Sequence, residues 1–206
     1  MQHFAIIVVG ASEGGVDAIA RLFSDVPREI PAALFVTLHV GPRRSILPEI
    51  ISQFGFPARH AKQGQMISPG AVLVAPPDHH LLIHKGHVSL SRGPRENWAR
   101  PAIDPMFRTA AFAYGPRVIG VVLSGQLNDG SAGLYTIKQR KGITIVQDPA
   151  DAVCPAMPTA ALTGVEVDYC LPVTEIAAAL HQSAKDIVEL GAEHLPHPSG
   201  GFADVK

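Results

Sequence analysis

Short apolar runs rich in β-branched residues recur at Ala5–Val9, Leu34–Leu38, Val72–Val74, Val118–Leu123 and Ile143–Val146. Most of them lack the alternation of a strand with one wet face, so they predict strands covered on both sides. Between them the period changes: Val16, Ile19, Ala20 and Phe23 fall on one side of a 3.6-residue repeat, as do Ile176, Leu180, Ile187 and Val188. That spacing predicts amphipathic helices. Strands interleaved with helices predict an α/β fold, a doubly wound, mostly parallel β-sheet flanked by helices.

One stretch departs from the rhythm. His80–His84 and Val88–Arg92 flank Lys85-Gly86-His87, and a glycine able to take positive φ between two such runs predicts one antiparallel β-hairpin. The segment from Gly93 to Pro105 is polar and bounded by prolines, which predicts a long loop of the kind that covers a site. From Gly191 the pattern decays into Pro, Gly and His. The expected organisation is one domain over residues 1–190 and a flexible C-terminal tail over 191–206.

With 206 residues, 47% of them hydrophobic, the chain can bury a full core. Its 17 Lys and Arg balance 18 Asp and Glu, so no basic footprint points to nucleic acid or to an anionic membrane. Cys154 and Cys170 show no CxxC spacing, which predicts free thiols in a reducing cytoplasm. No Lys or Arg precedes the apolar run at Phe4, and no run approaches the roughly 18 residues of a membrane span. A cytoplasmic protein without membrane insertion is the expectation.

The first strand runs directly into Gly10-Ala11-Ser12-Glu13-Gly14-Gly15 and then into the first helix. A G-x-S-x-G match acquires meaning in that strand-turn-helix context, because the turn lifts the serine hydroxyl above the sheet edge. Backbone N–H groups at the helix start are unpaired and aligned with its dipole, and can hold a developing oxyanion. The same glycine turn could instead cradle a phosphate, although a dinucleotide fingerprint wants glycine where Ser12 stands and no Walker Lys-hydroxyl pair follows. A nucleophilic serine needs a base, and His39 directly follows the strand Leu34–Leu38. The base needs an orienting acid, for which Asp129 follows Val118–Leu123 within Ser124-Gly125-Gln126-Leu127-Asn128-Asp129-Gly130. Read singly, His39 is a polar strand boundary and Asp129 a helix N-cap. Together the three fall on one rim.

His79, His80, His84 and His87 offer a spacing that zinc sites use. On a strand His79 points away from His80 and His84, and no cysteine or carboxylate cluster completes the set. No metal is expected.

The combination of Val9-Gly10-Ala11-Ser12 with Gly14-Gly15, His39 and Asn128-Asp129-Gly130 resembles the protein-glutamate methylesterases of bacterial chemotaxis, the CheB family. Pro69-Gly70, Ala75-Pro76, Gly93-Pro94, Asn97, Arg100-Pro101, Asp104, Phe107, Gln147-Asp148 and Met157-Pro158 extend the resemblance from residue 8 to about 172. It implies a carboxylic ester hydrolase without a cofactor. Ser12, His39 and Asp129 would form the catalytic triad, with the Glu13 backbone N–H, Gln126, Asn97 and Arg100 as oxyanion or pocket candidates. The implied partners are methylated chemoreceptor cytoplasmic helices, whose glutamate γ-methyl esters are cleaved and whose glutamines are often deamidated. The chain departs from the family pattern at Glu13 for threonine, Leu38 for glutamine, Ala99 for histidine, and Gln126-Leu127 for Met-Gly. Those departures keep two alternatives open: an esterase or amidase with another substrate, or a catalytically weak binding or scaffold module. With its first strand beginning near residue 4, the chain is also expected to carry no receiver domain in cis.

Overall fold

The computed structural model describes residues 4–40 and 45–189, so the expected tail over 191–206 lies outside the described residues. Seven parallel strands form the sheet: β1 (Ala5–Ala11), β2 (Ala32–Leu38), β3 (Ala58–His60), β4 (Val72–Val74), β7 (Val118–Val122), β8 (Ile143–Gln147) and β9 (Tyr169–Leu171). Their spatial order is β3-β4-β2-β1-β7-β8-β9. A separate antiparallel hairpin pairs β5 (His80–His84) with β6 (His87–Ser91). Among the described residues six α-helices complete the α/β fold: α1 (Gly15–Asp25), α2 (Leu47–Ser52), α3 (Ile103–Tyr114), α4 (Ser131–Gln139), α5 (Ala156–Gly164) and α6 (Val173–Glu189).

Both sheet faces are buried, which is why the strands read as continuous apolar runs. Ile7 and Val9 of β1 pack with Ile19, Leu22 and Phe23 of α1 and with Ile176 and Leu180 of α6. Ile6 and Val8, on the opposite face, join Met106 and Phe107 of α3 and Leu81, Ile83 and Val88 of the hairpin. A fully buried side chain of this kind contributes about 1.5–3 kcal/mol. A one-residue slip of β1 would therefore exchange two sets that are shaped for different partners.

The chain leaves β1 toward β2 on one side, while β7 lies against its other side. Such a reversal opens a crevice above the carboxyl ends of the strands, where open α/β sheets bind their ligands.

Two local expectations need correction. Helix α3 begins at Ile103, so Asp104 and Pro105 sit in its first turn and the loop ends at Ala102. Pro105 is tolerated there because a first-turn N–H has no intrahelical acceptor to lose. The hairpin turn is two residues rather than three: His84 pairs with His87 across Lys85-Gly86, with Gly86 at φ 81°.

The hairpin is fastened to α3 by bonds from the Ile83 N–H to Thr109 Oγ1 at 3.0 Å and from the Gly86 N–H to the Tyr114 hydroxyl at 2.8 Å. Buried His80 then pins the loop: its Nε2 bonds the Pro94 carbonyl at 2.9 Å, and its Nδ1 accepts the Ala102 N–H at 3.2 Å. That loop reaches over the crevice.

Candidate active site

Ser12 follows β1 directly, and its N–H donates to the Ser124 carbonyl at 2.9 Å, joining the ends of β1 and β7. The turn then closes tightly. Gly14 has φ 73°, and a Cβ there would stand 2.7 Å from both Ser124 Oγ and Val153 Cβ, so both conformation and space demand glycine. Ser124 Oγ donates to the Glu13 carbonyl at 2.7 Å and accepts the Cys154 N–H at 2.9 Å, clamping the turn from behind. Neither Ser124 nor this clamp is apparent from sequence spacing.

Parallel pairing of Ala11 with Leu38 places the next residues, Ser12 and His39, side by side. The His39 N–H donates to the Ala11 carbonyl at 3.1 Å. Its ring spans the gap: Nδ1 lies 3.1 Å from Ser12 Oγ, and Nε2 lies 2.7 Å from Asp129 Oδ2. An ionised carboxylate offers only acceptors, so the ring proton belongs on Nε2 and Nδ1 is left to accept from the serine.

Asp129 is 1% exposed. Burial pushes its carboxyl up, but the His39 hydrogen bond, the Ile103 N–H at 2.7 Å, the His39 charge and the Asp104 N–H at 3.1 Å together hold it below its ordinary value. Two of those donors are the first N–H groups of α3, so this acid caps a helix distant in sequence, while its Oδ1 also accepts the Gly130 N–H at 2.9 Å just before α4. Gly10 lets that helix start come close, since a Cβ at position 10 would sit 2.4 Å from Ile103 Cγ2.

Asp104 returns the arrangement. Its Oδ1 accepts from the Gly133 N–H at 2.7 Å and the Gly130 N–H at 3.1 Å, capping α4. Asn97 links the two acids: its Nδ2 donates to Asp104 Oδ2 at 2.9 Å and to Asp129 Oδ1 at 2.7 Å. Burial, then the neighbouring Asp129 charge, push the Asp104 carboxyl up. Asp104 counts among the residues that carry the family resemblance, but the sequence assigns it no role. An acid in the first turn of a helix does not say which helix it serves.

The remaining candidates separate. Gln126 Nε2 donates to Glu13 Oε2 at 3.0 Å, so the two exposed side chains meet across the turn that bears Ser12 and the loop that leads to Asp129. The Ser12 N–H is committed to Ser124, and α1 begins three residues farther on at Gly15. Asn97 faces the acid rather than the serine. Arg100 does not join Ser12, His39 and Asp129: its guanidinium bonds Asp78 Oδ1 through Nε at 2.9 Å and Nη2 at 2.6 Å, and its Nη1 bonds the carbonyls of Arg92 and Gly93. Arg100 braces the loop. Hydrogen bonds from Arg100 and Arg92 hold Asp78 at about 2.

Among the described residues no group of three or more His, Cys, Asp or Glu could hold a metal ion. His84 bonds Ser89 Oγ at 2.7 Å and stacks on His87, while His79 bonds the Pro77 carbonyl. Among the same residues no helix is long and apolar enough to cross a membrane.

Residues 7–180 match the family model described as CheB methylesterase. A relative from Leptospira interrogans is 36% identical over 182 residues, covering 85% of this chain and 93% of its own. The protein-glutamate methylesterase/protein-glutamine glutaminase of Pyrococcus abyssi is 34% identical over 176 residues, covering 82% of this chain and 48% of its own. The chain thus spans nearly all of the first relative and about half of the second. The solved catalytic domain of the Thermotoga maritima CheB methylesterase superposes with a TM-score of 0.83 at 29% identity, covering 87% of this chain and 98% of that one.

Proposed function

This chain belongs to the CheB methylesterase family, and from that premise we propose that it is a serine hydrolase that demethylates glutamate γ-methyl esters on the cytoplasmic helices of chemoreceptors. Residues 1–190 form the catalytic unit, acting in the cytoplasm without a cofactor. The observation that carries the reading is His39, whose two ring nitrogens are engaged by Ser12 at 3.1 Å and Asp129 at 2.7 Å.

Each step follows from that geometry. Nδ1 of His39 takes the Ser12 proton as Oγ attacks the ester carbonyl. The charge that develops on the carbonyl oxygen meets the Glu13 N–H and the positive end of α1. Asp129, held ionised by its N–H donors, stabilises the imidazolium without taking its proton. His39 returns that proton to the departing methoxide, and methanol leaves. Water, activated by the same nitrogen, then splits the acyl-enzyme to a glutamate carboxylate and restores Ser12. A glutamine amide in the same place would lose ammonia instead.

A fluorophosphonate probe tests the nucleophile: native protein is labelled and Ser12→Ala is not. Methanol release from methylated receptor tests the substrate. The Glu13–Gln126 pair at the mouth, where the family carries threonine and methionine, favours a second reading in which small or differently placed esters are the substrate. Turnover of small esters without methanol from the receptor selects it. A phosphate cradle is the weaker reading, because a phosphate needs neither the imidazole of His39 nor the carboxylate of Asp129 that meet beside Ser12.

A further inference from the structure

The Glu13 carboxylate is exposed, immediately follows the nucleophile, and is anchored by a neutral amide rather than by a cation. Among the described residues no Lys or Arg lies within ion-pair distance of it. Gln126, on the segment between β7 and α4, donates to it at 3.0 Å, so the turn that bears Ser12 and the segment that leads to Asp129 meet at this charge. A hydrogen bond from an amide keeps the negative charge; a lysine in place of Gln126 would cancel it.

We infer that Glu13, positioned by Gln126, is a specificity-determining residue that disfavours esters carrying a negative charge near the scissile carbonyl and favours neutral or cationic ones. The inference rests on the hydrolase reading and deepens it. The physical cause is Coulombic. A substrate carboxylate brought to the mouth meets the Glu13 carboxylate at short range, whereas an ammonium group there is attracted to it. Two unit charges about 7 Å apart in a largely aqueous surround, one attracted and one repelled, separate the two substrates by about tenfold in kcat/KM. The separation falls as salt shortens the screening length to about 3 Å at molar ionic strength. On a protein substrate the same field favours a methyl-esterified glutamate whose neighbours are neutral, esterified or basic over one flanked by free carboxylates. It also opposes retention of the product, which is itself a carboxylate.

The test uses three p-nitrophenyl esters of similar length and different charge: the glutarate monoester, the hexanoate and the 4-(trimethylammonio)butyrate. Release of p-nitrophenol by the whole chain is followed at low and at molar salt. The expected result is a cationic-to-anionic kcat/KM ratio of about ten at low salt that falls toward one at high salt. In Glu13→Gln the ratio falls to about two or less at low salt, and Gln126→Lys, which supplies a counter-charge, does the same. The ratio is the readout because a general loss of folding or oxyanion geometry lowers all three rates together. Arg43 and Arg44, close to His39 in sequence, are common to native and variant proteins, so the difference reads Glu13 alone. Equal low-salt ratios in native and both variant proteins overturn the inference while leaving the hydrolase standing. No turnover of any ester, with no labelling of Ser12, removes the hydrolase reading and the inference with it.

Discussion

Asp104 and Asp129 cap each other's helices: Asp129 accepts from the first N–H groups of α3, which contains Asp104, and Asp104 accepts from N–H groups at the start of α4, which follows Asp129. The exchange holds Asp129 on a frame rather than on a free loop. In Asp104→Ala the Gly133 N–H loses its buried acceptor, at a cost of about 1–3 kcal/mol, while the Gly130 N–H keeps Asp129 Oδ1 at 2.9 Å. Urea denaturation reads that loss. Ester turnover should fall with it, mainly in kcat, since Asp129 loses its brace; unchanged kcat would confine Asp104 to a structural role.

Asp129→Asn keeps the volume but offers an N–H where His39 needs an acceptor. The amide favours the tautomer with its proton on Nδ1, which then faces Ser12 as a donor and cannot take the serine proton. In the trypsin-type triad the equivalent change costs about 10⁴ in kcat, and a fall of about 10³–10⁴ is expected here. Steady-state hydrolysis of p-nitrophenyl hexanoate measures it, and fluorophosphonate labelling should slow in parallel.

Acidification should act on the two acids in opposite directions. Asp129 is lowered, so its contribution to stability is present above the ordinary 3.8 and is lost as pH falls through its folded-state value. Asp104 is raised, so its charge is a cost at neutral pH that is relieved as pH falls through its raised value, before the unfolded chain titrates near 3.8. The plot of urea midpoint against pH should therefore hold or rise first and decline at lower pH. Asp104→Asn should lose the early rise. A native curve that declines from neutrality onward, identical to that of the variant, would count against this pair.

Asn97 and Trp98 are adjacent and both left-handed, with φ 48° and 64°. Asn97 spends its amide on the two acids, whereas Trp98 is 87% exposed. Asn97→Ala should lower stability by about 1–2 kcal/mol and reduce kcat. Trp98→Ala should leave the unfolding free energy within about 0.5 kcal/mol of native, because it has little burial to lose.

Gly10→Ala places a methyl group against Ile103 and pushes the start of α3 away from Asp129. Overpacking of this kind costs about 1–3 kcal/mol. Shortening the partner in Gly10→Ala/Ile103→Ala should recover part of the kcat lost in the single variant, a coupling that a double-mutant cycle measures.

What the sequence made legible was the rim. Strand ends are readable from apolar runs, and Ser12, His39 and Asp129 each follow one, so their meeting could be expected before any coordinates. The strands β3 and β9 are three residues long and only partly buried, so they carry too little apolar pattern to be read, whereas the equally short β4 is wholly apolar and buried. The start of α3 was hidden because a polar, proline-bearing stretch looks alike in a loop and in a first turn. The bracing role of Arg100 was hidden for a different reason: a guanidinium suits a pocket and a brace equally well, and its partner Asp78 sits 22 positions away on another loop. Asp104 needed the start of α4 in space before its carboxyl had a purpose. Side-chain type announces what a group is able to do, while the partner it finds is decided by distant segments.

The serine, the imidazole and the carboxylate ride on three neighbouring strands that the chain visits at widely separated times, with the Ser12 and His39 backbones themselves tied to β7 and β1. No half-built intermediate owns a working proton path. During refolding from urea, hydrolytic competence should thus emerge late, after most of the helical signal has returned, and a nascent chain still lacking β7 would be harmless to any ester it meets.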